Sequence, residues 1–273
     1  MRPLLLPILA FLQAFALQAP DPTPLKFDYA PLTTIEARLR DSSNDNRERE
    51  RILKEMFKAE GCVPPALREQ RVEHEMLPNV ICTLTGSQNG MIIVGAHFDH
   101  VRVGQGIVDN WSGASLLPGL YRGLHNASRK HSFVFIGFTD EERGLIGSKY
   151  YAARLTAQQR ASVRAMINLD SLGLGPTKVF LTHSDKALFE KLEVVAARMD
   201  LSAEVLNVRG ADEDGESFKR RAIPTLMLHS VTPPRWRILH SARDTFEAID
   251  MKAYYDTYRL LGAYLAYLDE TLP

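Results

Sequence analysis

The chain alternates two hydrophobic rhythms, and that alternation limits its fold more than any other feature. Short apolar, β-branched runs lie at Val80–Leu84, Met91–Gly95, Phe133–Phe138, Met166–Leu169, Lys178–Leu181 and Thr225–Leu228. Helical spacing runs over Asp45–Glu60, closed by Gly61, and again over Ala187–Arg198 and Met251–Leu268. A strand that is apolar throughout buries both its faces, and helices between such strands cover both sides of a largely parallel sheet. Arg71–Glu75 and Val80–Leu84, split by Leu77-Pro78, read instead as an antiparallel pair at one edge. The expectation is an α/β fold: a three-layer α/β/α sandwich around a mixed, mostly parallel central sheet. Tyr254, Tyr255, Tyr258, Tyr264 and Tyr267 follow the helical spacing of the last segment and read as packing or surface residues.

Charge narrows the function classes. Lysine plus arginine equals aspartate plus glutamate at 33 each, so the net charge is zero. That leaves no cationic surplus for counterion release, and nucleic-acid binding is not expected. Two cysteines are too few to build a disulfide scaffold, so a hydrophobic core must stabilise the chain. At the N-terminus, Arg2 precedes the apolar run Leu4–Leu12, and Ala14-Phe15-Ala16 offers small residues for cleavage before Pro20. This order predicts a signal peptide over residues 1–19, export to a secreted or periplasmic location, and no stable membrane insertion after cleavage. An uncleaved segment would act as a membrane anchor, although Pro7 and Gln13 interrupt the run. An oxidising compartment would permit a Cys62–Cys82 disulfide. Residues 20–273 show no repeat or linker and are expected to form one domain.

Acidic residues and histidines fall where the strands end. Met91–Ala96 runs into His97-Phe98-Asp99, Phe133–Phe138 into Asp140-Glu141-Glu142, and Met166–Leu169 into Asp170. Ligands of open α/β sheets bind outside the carboxyl ends of the strands, so three strands deliver imidazole or carboxylate to one rim. Asp109-Asn110 opens a helix start, and His240 lies in a loop after the Thr225 run. Singly, each has a mild explanation as a rim residue, an N-cap or a solvated turn. Together, several carboxylates on one rim would repel one another unless a cation neutralised them. The donor mixture suits zinc or a similar divalent ion. The residues alone therefore predict a dinuclear, hydrolytic metal site.

These residues resemble the zinc-dependent aminopeptidases of the M28 peptidase type, over about Asn79 to Asp244. Gly95-Ala96-His97-Phe98-Asp99 is similar to that family's G-A-H-x-D, and Asp109–Ala114 to its D-[DN]-x-S-G-[ACS]. Glu141–Ser148 resembles E-E-x-G-L-x-G-S, Asn168-Leu169-Asp170 the strand-end aspartate, and His240–Asp244 H-[ST]-x-x-D. The resemblance implies two zinc ions per chain. His97 and Asp170 would bind one, Glu142 and His240 the other, and Asp109 would bridge them, often across a cis peptide to Asn110. Asp99 would orient His97 and Asp244 would orient His240. Glu141 would be the general base for a zinc-activated water attacking the bond that follows a peptide's or protein's N-terminal residue.

Two departures stand out. His100 takes the place where the family often has serine, and reads as a surface or supporting residue. In Asp214–Pro224, Gly215 and Ser217 replace the histidine and proline of the family's D-H-x-P-F. That leaves Asp214 and Glu216 as candidates for holding a substrate ammonium group. The glutaminyl-peptide cyclases, single-zinc transferases with a similar pattern, are the nearest alternative. Gly144-Leu145 after the paired glutamates and Leu239 before His240 favour the peptidase form. A non-catalytic, receptor-like relative is disfavoured because every ligand and the base are present.

Overall fold

The unbroken apolar runs become the middle of an eight-stranded sheet in the computed structural model, which describes residues 26–207 and 212–273. The signal-peptide expectation falls on residues 1–19, outside the described residues. The strands are β1 (Leu67–Gln70), β2 (Asn79–Leu84), β3 (Met91–His97), β4 (Ser132–Phe138), β5 (Val163–Leu169), β6 (Lys178–Val179), β7 (Glu204–Val205) and β8 (Thr225–His229). They lie in the order β1-β2-β4-β3-β5-β8-β6-β7. The central four, β4-β3-β5-β8, are parallel; β1 and β2 are antiparallel additions on one side, and β6 runs antiparallel to β8 on the other.

Successive side chains divide between the two faces, as a strand's period of two requires. Ile92, Val94, Phe133, Phe135, Ile167 and Leu169 join the cluster under the helices Asn46–Ala59, Leu117–His125, Lys186–Met199 and Met251–Thr271. Ile93, Val134, Ile136, Phe138 and Met166 belong to a second cluster, covered by Tyr151 and Ala152 of the helix Ile146–Arg154 and by Phe218. Both faces are therefore sealed by helices, giving the mixed, mostly parallel three-layer arrangement. Among the described residues, no helix is long and apolar enough to cross a membrane.

Three of the longer helices, Asn46–Ala59, Lys186–Met199 and Met251–Thr271, start where aspartates cap them. Asp45 accepts from the backbone N–H of Arg47 and Glu48, Asp185 from Leu188, and Asp250 from Ala253. In the last helix Tyr254, Tyr258 and Tyr264 are fully buried packing residues. Their hydroxyls are satisfied by carbonyls; Tyr254 donates to Ser112 at 2.7 Å and Tyr264 to Leu188 at 2.8 Å. Cys62, just beyond the helix Asn46–Ala59, is disulfide-bonded to Cys82 of β2.

Two local expectations differ from the structure. The partner of β2 is Leu67–Gln70, and Arg71–Glu75 belongs to the connection that follows it. The pairing of Leu67 with Cys82 brings this strand beside the disulfide, a tertiary constraint that local pattern does not carry. The run Lys178–Leu181 pairs only through Lys178 and Val179, because Leu181–His183 turns into a 3-10 helix.

Candidate metal centre and active site

Each donor is placed by the end of a parallel strand or by a loop pinned to one. His97 closes β3 and is 1% exposed. Its Nδ1 donates to the Asp99 carbonyl at 3.1 Å, with the Asp99 carboxylate at 3.5 Å. With the proton on Nδ1, the Nε2 lone pair is left for a ligand. Asp99 also accepts from the backbone N–H of Glu141 and Glu142 at 3.1 and 3.3 Å, so it holds the loop after β4 as well. Asp170 follows β5, its N–H bonded to the Leu228 carbonyl of β8.

Asp109 sits in Ile107–Trp111, and its peptide bond to Asn110 is cis, as the resemblance implied. Asn110 ties this segment to β5 by donating to the Leu169 carbonyl at 2.8 Å, while its own oxygen accepts from Gly113 and Ser171. Asp244 was expected to orient His240. Its carboxylate instead accepts from the backbone N–H of Val108 at 2.6 Å and Asp109 at 3.1 Å, so it grips the Asp109 loop. Four of the seven non-glycine residues with positive φ among those described, Asp140, Leu145, Ser171 and His240, lie in these loops. Such conformations are uncommon and gather at functional sites.

The donors converge in two groups. His97, Glu141 and Asp170 form one; Asp109, Glu142 and His240 form the other. His97 Nε2 is 3.3 Å from Asp109 Oδ1 and 3.6 Å from Asp170 Oδ2. His240 Nε2 is 3.1 Å from Asp109 Oδ2 and 3.0 Å from Glu142 Oε2. Tetrahedral zinc with bonds of roughly 2.0–2.1 Å has ligand atoms about 3.3 Å apart, so these separations fit it. His97 Nε2 and Glu142 Oε1 are buried without a hydrogen-bond partner, the state expected of atoms meant for a cation.

Burial and close approach shift the titration of these groups in opposite directions. Burial raises the Glu141 carboxyl to about 10, with Asp214, Asp170 and Asp109 adding to it against the pull of His97. Burial likewise pushes Glu142 up. His240 is raised to about 10, chiefly by its contacts with Asp109 and Glu142. For His97, burial opposes the charged ring, but Glu141, Asp109 and Asp170 outweigh it and the pKa rises. Asp109 shows the reverse balance: burial would raise it, yet the two imidazoles hold it below the ordinary carboxylate range.

A pocket of about 490 Å³ opens over these residues. Leu145, Val231, Trp236 and Leu239 supply its apolar wall, and Asp212 and Glu213 add carboxylates. Asp214 and Glu216, the two candidates for substrate contact, do not line it. Asp214 is buried beneath, its carboxyl raised to about 7 by burial with Asp99 and Asp170 contributing. Glu216 is buried too and faces His183 Nδ1 at 2.5 Å.

Three residues escaped sequence reasoning. Glu213 is buried, faces the pocket and accepts from Asn168 at 3.2 Å; only its place in an acidic loop hinted at it. Arg49 is fully buried and donates to the carbonyls of Ser43, Phe98, Gln105 and Gly106, fixing the loop between His97 and Asp109. Lys149 lines the pocket from the helix Ile146–Arg154. His100 is buried and packs against the start of the helix Asn46–Ala59, its Nε2 near the Asn44 carbonyl.

An open α/β sheet with carboxylates and imidazoles gathered at its strand ends has the donor set and the placement of a metal site. The family model of peptidase family M28 matches residues 79–265, and the chain belongs to that family. A probable leucine aminopeptidase 2 of Aspergillus fumigatus is 32% identical over 122 residues, which are 44% of this chain and 24% of that protein. The chain thus matches about a quarter to a third of the length of such curated relatives. The LapA aminopeptidase of Legionella pneumophila superposes with a TM-score of 0.73 at 18% identity, covering 94% of this chain and 79% of that one. A glutaminyl cyclase of an Acidobacteriales bacterium gives 0.74 at 16% identity, covering 93% and 99%. Both likenesses are of fold.

Proposed function

We propose that the chain is a zinc aminopeptidase that releases N-terminal amino acids from peptides and proteins, with Glu141 as general base. The observation that carries this reading is the placement of Asp109, whose two oxygens face His97 and His240 separately. His97 and Asp170 would hold one zinc, Glu142 and His240 the second, with Asp109 shared. Zinc so held supplies Lewis acidity toward a carbonyl and lowers the pKa of water from about 15.7 toward about 7. Glu141 takes the proton from the attacking water and returns it to the departing amine, a role worth roughly 100- to 10,000-fold. Asp99 keeps His97 in the required tautomer, and Asp244 keeps Asp109 in place. Glu213, beside the centre, meets the substrate's ammonium group, and the apolar wall takes its first side chain. A sequence relative named as a probable leucine aminopeptidase supports the reaction. Residues 20–273 would form the catalytic unit, secreted or periplasmic after loss of residues 1–19.

A peptide with a free N-terminus, its N-acetylated twin and a chelator test the reading. The free peptide is expected to lose its first residue, the acetylated one to survive, and chelation to abolish activity until zinc is restored. Equal cleavage of both peptides would overturn it. The second reading is the alternative that the motif resemblance leaves, cyclisation of N-terminal glutamine. Ammonia release from a glutamine-first peptide, without hydrolysis, would select that one.

A further inference from the structure

The wall of the catalytic pocket continues past it. Gly144, Leu145 and Lys149 also line a second cavity, of about 630 Å³. There the charge changes sign. The catalytic pocket presents six carboxylates, with Lys149 and Arg237 as its cations. The second cavity presents Lys149, Arg220 and Arg221 against Glu73 alone, and Glu73 is engaged by Arg154.

Two of these cations have donors to spare. Lys149 Nζ donates to the Gly144 carbonyl at 2.9 Å and Arg221 Nη1 to the Ser217 carbonyl at 2.8 Å. Among the described residues neither has a carboxylate within ion-pairing distance, and Arg220 meets Glu216 only at 3.7 Å. An ammonium and a half-buried guanidinium with unused N–H groups beside a cavity suit a carboxylate.

The direction of the cleft follows from the proposed chemistry. Glu141 returns its proton to the departing amine, so the leaving side of the scissile bond faces the Glu141 loop. Gly144 and Leu145 lie on that loop and form the shared wall, whereas Trp236 and Leu239 stand in the segment that carries His240. A substrate with its ammonium in the acidic pocket would run its remaining length toward Lys149 and Arg221.

We propose that the second cavity is a downstream subsite that binds a carboxylate of the peptide substrate on Lys149 and Arg221. The inference rests on the aminopeptidase reading. The carboxylate comes from the C-terminus of a short peptide or from an acidic side chain.

Four substrates separate these cases with the zinc-loaded protein: leucine anilide, Leu-Ala-Ala as free acid, its C-terminal amide, and Leu-Ala-Glu amide. The anilide tests the aminopeptidase reading alone, and its resistance would remove the ground beneath the subsite. With the anilide cleaved, KM for the free acid or the glutamate peptide should fall roughly fivefold below that of the neutral amide. A gain by the first assigns the C-terminal carboxylate, and a gain by the second the side chain. The advantage should shrink in 0.5 M salt and in Arg221→Met and Lys149→Met, with thermal melts reporting that each variant is folded. Equal KM for all three peptides, with the anilide cleaved, overturns the subsite.

Discussion

Glu141 and Glu142 are consecutive, yet the backbone assigns them different neighbours: Glu142 meets His240, while Glu141 stands 3.8 Å from His97. Replacing Glu141 by glutamine removes a proton acceptor and keeps the volume, so turnover should fall by roughly 100- to 10,000-fold. Zinc content, measured on the purified variant, should stay at the wild-type level, whereas His240→Ala should lose zinc as well as activity. An active Glu141→Gln protein would sink the base assignment. The donors differed in how readably the sequence announced them. His97, the glutamate pair and Asp170 were visible because apolar strands end on them. His240 was visible only through its motif, since it stands on an exposed loop with a φ of 52°. The contacts of Asp244 with the Val108 and Asp109 amides were not legible, because these partners are more than a hundred residues away along the chain.

At the scale of elements, the four central strands were legible because each is apolar at nearly every position. The edge was not. Leu67–Gln70 alternates weakly, and its place is set by pairing with β2 and by the nearby Cys62–Cys82 bond. That bond joins the end of the helix Asn46–Ala59 to β2 across a separation of 20 residues. Chain-entropy reasoning gives about 3 kcal/mol for a loop of that size. The double variant Cys62→Ala/Cys82→Ala should therefore lose about 2–4 kcal/mol in urea unfolding, and reductant should lower the wild type by a similar amount while leaving the variant unmoved. Arg49 was hidden for a related reason: in the helical pattern it reads as one of a run of charged residues, and only the packed fold turns it inward beneath the site.

For the whole molecule, the alternation of strand and helix gave the layers correctly, and a net charge of zero concealed how unevenly charge is spread. Six carboxylates line one pocket; burial holds the Glu141 carboxyl up to about 10, and the contacts of His240 with Asp109 and Glu142 hold its imidazole up to about 10. Both groups bind protons more tightly folded than unfolded, where their ordinary values are 4.5 and 6.5. Their contribution to stability is therefore full below those values and declines as pH rises toward about 10. Zinc would replace the protons and reverse the trend. A ligand bound only by the native state stabilises by about 2.7 kcal/mol at a hundred times its Kd. Because zinc must displace protons, its affinity and its stabilising increment should both grow from pH 6 to pH 8. Thermal melts across a zinc series at those two pH values measure the increment directly. It should persist in Glu141→Gln and vanish in His240→Ala. A zinc effect that is absent in the wild type, or that grows as the pH falls, would show that these side chains do not form the metal centre.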